Sequence, residues 1–237
     1  MGITDYTTLS RQQGLMREMR MVANNIANMA TTGYRQQGVV FSEYVRQTDR
    51  DGSVAMSASR VRNTSFAQGS LTRTGGQLDV AIEGDGFFLV QTPAGERLTR
   101  AGNFASSAAG DLVTQDGHLV LDSGGAPVFI PPDATDLAIG QDGTISSNGA
   151  PIGQIGIVQP LEPGTLIREG GVLFRAEAGY DPAEAPRVRQ GFVESANVDP
   201  ILQIARMIEV QRAYEMGQNF LQREDERVRA AIKSLIT

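Results

Sequence analysis

Residues 198–237 read VDPILQIARMIEVQRAYEMGQNFLQREDERVRAAIKSLIT, and the spacing of their apolar side chains decides the fold class. Met207, Tyr214, Leu221, Val228 and Leu235 recur every seventh residue, the period of a helix face that meets another helix. Ile201, Ile204 and Ile208 widen this stripe at its start and Ile232 near its end, while Gln211, Gln218 and Asp225 interrupt it. Pro200 suits a first helical turn behind an Asn197 or Asp199 cap. The pattern predicts one helix over 198–236, about 55 Å long at 1.5 Å per residue.

The opposite end of the chain carries the same period. Leu9, Met16, Ala23 and Ala30 fall seven apart, with Gln12, Met19 and Ile26 between them, which predicts a helix over 3–30 of roughly 40 Å. Thr4 or Asp5 would cap its start, and Gly33 is placed to follow its end.

Between the helices the texture changes. Residues 35–75 are polar, with Asp51-Gly52 as a turn and Val39-Val40-Phe41 as a short apolar run, and read as an extended connector carrying some β structure. Residues 76–187 hold most of the glycines and prolines and a series of short β-prone runs, among them 79–82, 86–91, 97–100, 111–114, 118–121, 128–130, 137–139, 144–146 and 154–158. Turn signals every 8–12 residues or so mark an all-β domain, and Asp116-Gly117 and Asp142-Gly143 suit tight hairpins.

The expected organisation is therefore a mixed α and β chain. Residues 1–34 and 198–237 supply long helices of a coiled-coil domain, 35–75 and 188–197 are connectors, and 76–187 form a central, mainly antiparallel β domain. A β domain of that size has too little surface to cover both helical stripes, so they should pair with each other and leave apolar surface over. Leftover apolar surface on a long helix calls for partners. The expected assembly contacts are Leu9, Met16, Met19, Ala23, Asn24, Asn25, Ile26 and Asn28 in the first helical motif. In the last helix they are Ile204, Met207, Ile208, Gln211, Tyr214, Leu221 and Val228.

Composition removes many chemistries. The 237 residues include no cysteine and one histidine, His118, which excludes disulfides, thiolate metal sites, a cysteine nucleophile and two-histidine sites. Net charge is −6, unevenly spread. Residues 1–75 carry nine arginines against five acids, and 76–187 carry five against fifteen. The acidic middle repels nucleic acid and anionic membranes. No window approaches the ~20 apolar residues of a membrane span, and the first twenty residues lack the apolar core of a cleaved secretory leader.

No G-x-S-x-G elbow, phosphate loop or complete dinucleotide fingerprint is present. Gly84-Asp85-Gly86 begins the last of these, but Leu89 stands at its third glycine position. His118 follows an Asp-Gly turn, and Glu83 and Asp85 read as turn residues. A cell-wall-active β domain on helical arms would need Asp79 and Glu83 as acid and base, yet they sit four apart on a β segment without an aromatic platform. Neither an enzyme nor a cofactor is expected. The sharper signal is Ala23-Asn24-Asn25-Ile26-Ala27-Asn28 before Thr31-Thr32-Gly33-Tyr34. Asparagine is costly inside a helix; Asn24 and Asn25 are either simply exposed or buried amides fixing the register of a helix contact.

That motif resembles the N-terminal signature of the axial rod and hook proteins of the bacterial flagellum. The likeness continues through Leu78–Phe88, Leu98–Phe104, Gln190–Val198 and Met207–Glu215, in family order over nearly the whole chain. The short stretch after the first motif, with Leu9-Ser10-Arg11-Gln12-Gln13 and the ending Phe220–Arg229, is more similar to proximal-rod than to distal-rod members. The resemblance implies helices packed as a coiled coil and an outward β domain. It implies helical polymerisation with copies and other rod subunits in the periplasmic rod, torque transmission, and export through the flagellar type III apparatus without a cleaved signal.

Overall fold

The last helix begins where Asp199 stops the extended chain. The Asp199 carboxylate accepts hydrogen bonds from the N–H groups of Ile201 and Leu202 at 2.9 and 3.1 Å, and Pro200 takes the first turn, where its missing donor costs nothing. Of the two expected caps, Asp199 does the work. In the computed structural model, which describes residues 3–48 and 52–236 and the side chains of 8–38 and 63–234, this helix, α2, runs Pro200–Ile236. The first helix, α1, runs Ile3–Ala27. It already contains Thr4 and Asp5, so neither is its cap.

α1 also ends earlier than the sevenfold pattern suggests, leaving Ala30 outside it. The chain turns at Asn28, whose backbone oxygen accepts from the Thr31 N–H at 3.0 Å and whose Oδ1 accepts from the Thr31 hydroxyl at 3.3 Å. Side chains of this kind compete with the helix for backbone groups. Gly33 is therefore not the helix's closing residue. It has φ +69°, and a Cβ on it would lie 2.3 Å from the Ala101 nitrogen, so a close backbone contact dictates glycine there.

Two compact units result. The first joins Met1–Ala27, Gln36–Ser65 and Val198–Thr237, and the second joins Asn28–Arg35 and Phe66–Asn197. In the first unit α1 and α2 are accompanied by an antiparallel hairpin, β1 (Gln37–Thr48) with β2 (Gly52–Thr64), whose register shifts between Val40 and Phe41. The stretch read as an extended connector holds this hairpin, and Val39-Val40-Phe41 lies in β1. Asp51 of the expected turn lies outside the described residues.

The second unit is built from short strands: β3 (Leu71–Arg73), β4 (Val80–Ile82), β5 (Phe87–Thr92), β6 (Gly95–Thr99), β7 (Ala105–Ser106), β8 (Leu112–Val113), β9 (Leu119–Val120), β10 (Leu137–Ile139), β11 (Thr144–Ser147), β12 (Ala150–Gln154), β13 (Ile157–Pro160), β14 (Leu166–Arg168), β15 (Leu173–Ala176), β16 (Tyr180–Pro182), β17 (Val188–Gln190) and β18 (Phe192–Glu194). The main sheet runs β14-β15-β6-β5-β9-β8-β7, with β13 joining β5 to β16; β10-β11-β12, β17-β4 and β18-β3 form smaller sheets. All the pairings are antiparallel.

β5 shows why a continuous apolar run is a strand here. Phe88 and Val90 enter one buried cluster with Val80, Ile82 and Phe104, while Phe87 and Leu89 enter another with Leu98 and Phe174. A strand buried on both faces loses the usual alternation. Gly117 and Gly143, at φ +80° and +84°, complete the two Asp-Gly turns. The run 128–130 forms one isolated bridge, Asp111 to Phe129; its Val128 and Ile130 N–H groups donate to the Val120 and Gly110 carbonyls at 2.9 and 2.7 Å, but Pro127 and Pro131 on either side have no N–H with which to extend the ladder.

On this unit Tyr180 donates its hydroxyl to Glu96 Oε2 at 2.5 Å. Burial first, and the carboxylate second, push the phenol up to about 12. A phenol raised above its unfolded value stabilises the fold fully below pH ~10 and loses that contribution as pH rises toward 12. Absorbance titration should show one tyrosine ionising near 12 that Tyr180→Phe removes; an unchanged curve would contradict this contact.

Candidate functional site

Three hydrogen-bonded contacts fix how α1 and α2 meet. Asn25 Nδ2 donates to Gln203 Oε1 at 3.1 Å, Arg206 Nε donates to Glu18 Oε1 at 2.6 Å, and Gln12 Nε2 donates to the Tyr214 carbonyl at 2.9 Å. Rising numbers on one helix against falling numbers on the other make the pair antiparallel. The last contact requires Gly217, where an added Cβ would lie 1.9 Å from Gln12 Nε2. Glycine inside a helix weakens it; here it opens a notch through which Gln12 reaches the backbone of α2.

Asn25 settles half of the asparagine question. It is buried, its Nδ2 also donates to the Gln37 carbonyl at 2.8 Å, and its Oδ1 accepts from the Gln37 N–H at 2.9 Å. The amide thus acts as a strand neighbour for the first residue of β1 while holding α2 through Gln203. Asn24, one residue earlier, is exposed. Asn25→Ala should cost about 3 kcal/mol, because it strands both backbone groups of Gln37 in the interior. Urea denaturation followed at 222 nm measures it, and a loss under 1 kcal/mol would deny Asn25 this role.

The expected contact residues divide between the seam and the surface. The buried positions of α1 are Gln12, Gly14, Glu18, Val22 and Asn25, with Leu15 half-buried. The stripe of Leu9, Met16 and Ala23 stands one residue, about 100° of helix, away from that seam. Leu9, Ala23 and Asn24 are exposed, and Met16, Met19, Ile26 and Asn28 are half-buried. On α2 the seam is lined by Gln203, Met207, Val210, Tyr214, Gly217 and Leu221, while Ile204, Ile208, Gln211 and Val228 are exposed. The helices therefore meet through a seam that mixes Gln12, Glu18, Asn25 and Gln203 with Val22, Met207, Val210, Tyr214 and Leu221, while Leu9, Ile204 and Ile208 stay exposed outside it.

A second constellation lies in the β unit, and composition gave no sign of it. Glu194 has no exposed side-chain surface and sits between Arg35 Nη1 at 2.6 Å and Arg100 Nη1 at 3.2 Å. Its Oε1 also accepts from the Gly69 N–H at 2.7 Å, and its backbone oxygen accepts from Gly33 N–H at 2.7 Å. Arg100 reaches the Gly84 carbonyl at 2.6 Å and Arg35 the Ala67 carbonyl at 2.6 Å. Burial is the main reason both guanidiniums fall below their ordinary range, Arg100 to about 10, and Glu194 opposes it. Arg168 stacks over the rings of Tyr34 and Phe174 at 4.9 and 4.7 Å. Glu194 thus ties together 33–35, 69 and 100, segments distant in sequence.

Paired terminal helices that leave Leu9, Ile201, Ile204 and Ile208 exposed, on either side in sequence of a long β-rich segment, fit a structural protein that assembles, and the comparisons agree. The model of the flagella basal body rod protein matches residues 6–35, that of the flagellar hook protein FlgE/F/G D1 domain matches 81–147, and that of the flagellar basal body rod FlgEFG protein C-terminal matches 189–234. The flagellar basal-body rod protein FlgF of Caulobacter vibrioides is 40% identical, covering 97% of this chain and 96% of its own. FlgF of Mesorhizobium japonicum is 37% identical over the same shares, and FlgG of Bacillus subtilis is 33% identical over 93% and 94%. The chain belongs to the flagellar basal-body rod protein family, structural components of the flagellum. No helix among the described residues is long and apolar enough to cross a membrane.

Proposed function

We propose that this chain is a subunit of the proximal rod, polymerising helically through its terminal helices with copies of itself and other rod subunits. The observation that carries the reading is the apolar surface left outside the α1–α2 seam: Leu9, Ile201, Ile204 and Ile208 are exposed. Neighbouring helices packed as coiled coils would cover them, and dispersion summed over many such contacts would carry torque from subunit to subunit. The higher identity of the FlgF relatives favours the proximal over the distal rod. Export through the flagellar type III apparatus would deliver the chain, and a sequence without cysteine brings no disulfide to manage.

The test is localisation. A tagged chain should be found in the proximal rod of purified basal bodies, and deletion should abolish motility. Label in the distal rod would transfer the reading to the distal subunit; label outside the basal body, with motility intact, would end it. Ile204→Asp with Ile208→Asp should lower co-sedimentation with basal-body fractions at least tenfold while leaving the β unit's denaturation midpoint unchanged.

A further inference from the structure

Beside the buried Glu194 cluster, the β unit has an open cavity of about 200 Å³. Its apolar walls are the rings of Phe66 and Phe87, with Pro160 at the end of β13 and Pro163 just after it. These walls are set before anything enters. Phe66 packs against Phe87 and Phe174, ring centroids 6.2 and 5.8 Å apart. At the rim, the Gly84 carbonyl accepts from Arg100 at 2.6 Å and the Gly84 N–H donates to Gln68 Oε1 at 3.1 Å. The rest of the lining is the Gly86 backbone and three polar side chains, Asp85, Arg100 and Gln159. Arg100 is 3% exposed, and its guanidinium stacks 5.2 Å from the Phe87 centroid. Its Nη1 and Nη2 donate to Glu194 and Gly84, whereas its Nε has no hydrogen-bond partner among the described residues. Charge is out of balance as well: Arg35 and Arg100 share the one buried carboxylate of Glu194. Asp85 is exposed, so solvent screens its pull on Arg100. A buried cation short of partners is costly.

We propose that this cavity binds a small carboxylate with a flat apolar body, its ring or short acyl chain between the Phe66–Phe87 pair and the two prolines, its charge toward Arg100. The volume is below the roughly 300–1,000 Å³ of drug-sized sites, so the ligand has one ring or a chain of a few carbons. A carboxylate supplies both the acceptor that Nε lacks and the negative charge that the two guanidiniums lack. A charge-assisted bond of this kind is about twice as strong as a neutral one. An amide of the same shape brings the acceptor without the charge, and a cation of the same shape is repelled by Arg100 where little water screens it. Gln159, exposed at the mouth, has an amide N–H for the second oxygen. Every lining residue belongs to the β unit, so the site stands whether or not the chain polymerises.

Benzoate, benzamide and benzamidine share one shape and differ in charge, which makes them the test. Each is titrated into the full chain and followed in 1H–15N spectra, where the Gly86 N–H and the Arg100 Nε–H report on the cavity. Benzoate should shift both signals and saturate with a Kd of about 1 mM, as a ligand of so few atoms allows. Benzamide and benzamidine should bind at least tenfold more weakly. Arg100 also holds Glu194, so its own replacement would confound binding with folding; Asp85→Asn, at an exposed position, avoids this. Removing the competing carboxylate should tighten benzoate about twofold to threefold. Equal binding of the three compounds, a preference for benzamidine, or benzoate binding that Asp85→Asn weakens or leaves unchanged would overturn the proposal. So would shifts confined to residues outside the cavity, or no response to benzoate up to about 20 mM.

Discussion

Glu194→Ala should unfold the β unit more readily than any other single side-chain truncation in it. The substitution leaves two guanidiniums, Arg35 and Arg100, and the Gly69 N–H without their acceptor, at positions where the arginine side chains are 1% and 4% exposed. Breaking a buried ion pair by removing one member costs about 3–5 kcal/mol, a large share of the 5–15 kcal/mol typical of a whole domain. At a urea slope of about 2 kcal/mol/M the midpoint should fall by about 2 M. The chain has no tryptophan, so near-ultraviolet circular dichroism of its tyrosines provides the signal. Glu194→Gln should lose about half as much, since an amide oxygen still accepts from Gly69 and one arginine. A midpoint shift below 0.3 M for the alanine variant, on the same slope, would mean that the carboxylate does not hold these segments together. Burial already lowers the pKa of Arg35 and Arg100, and without Glu194 both should fall further.

How much of this was legible in the sequence depends on the range of the interaction. The helices, the Asp-Gly hairpins and β5 follow from local spacing, and each was visible there. The seam was not. Leu9, Met16 and Ala23 mark the most regular stripe of α1, yet α2 covers the face one residue over, with Glu18 and Asn25, because its partners there are Arg206 and Gln203. A sevenfold apolar repeat identifies a face that wants burial; it does not say whether the cover comes from the same chain. Gly217 was a signal of the other kind, a glycine deep in a helical pattern, and its reason appears only when Gln12 is brought beside it. Glu194 was invisible, since Arg35, Gly69 and Arg100 are scattered in sequence and nothing local marks them as neighbours. The strands over 166–194 escaped notice because each spans three or four residues and most include charged side chains, which mask a period of two.

Gly33→Ala is expected to be as damaging as the loss of Glu194, for two separable reasons. Gly33 has φ +69°, a left-handed conformation costing an L-residue about 1–2 kcal/mol. Its Cβ would also stand 2.3 Å from the Ala101 nitrogen and 2.4 Å from the Arg100 carbonyl carbon. These are backbone atoms, which cannot swing aside as a side chain can. Two other glycines isolate the two effects. Gly75, at φ +76° with nothing within 4 Å of an added Cβ, carries the conformational cost alone. Gly102 lies outside the left-handed region but would drive a Cβ to 1.7 Å from the Val80 oxygen, against the backbone that Val80 N–H already bonds at 2.8 Å. Gly75→Ala should therefore lose about 1 kcal/mol, whereas Gly102→Ala and Gly33→Ala should each lose at least the ~3 kcal/mol at the upper end of overpacking costs. Comparable losses at Gly75 and Gly33 would show that conformation, not contact, dictates glycine at Gly33. If contact governs, the segment Arg100–Gly102 is clamped between the backbones of Gly33 and Val80. The Thr-Thr-Gly-Tyr motif would then mark where the chain leaving α1 is seated against the β unit, which explains a glycine six residues beyond the end of the helix.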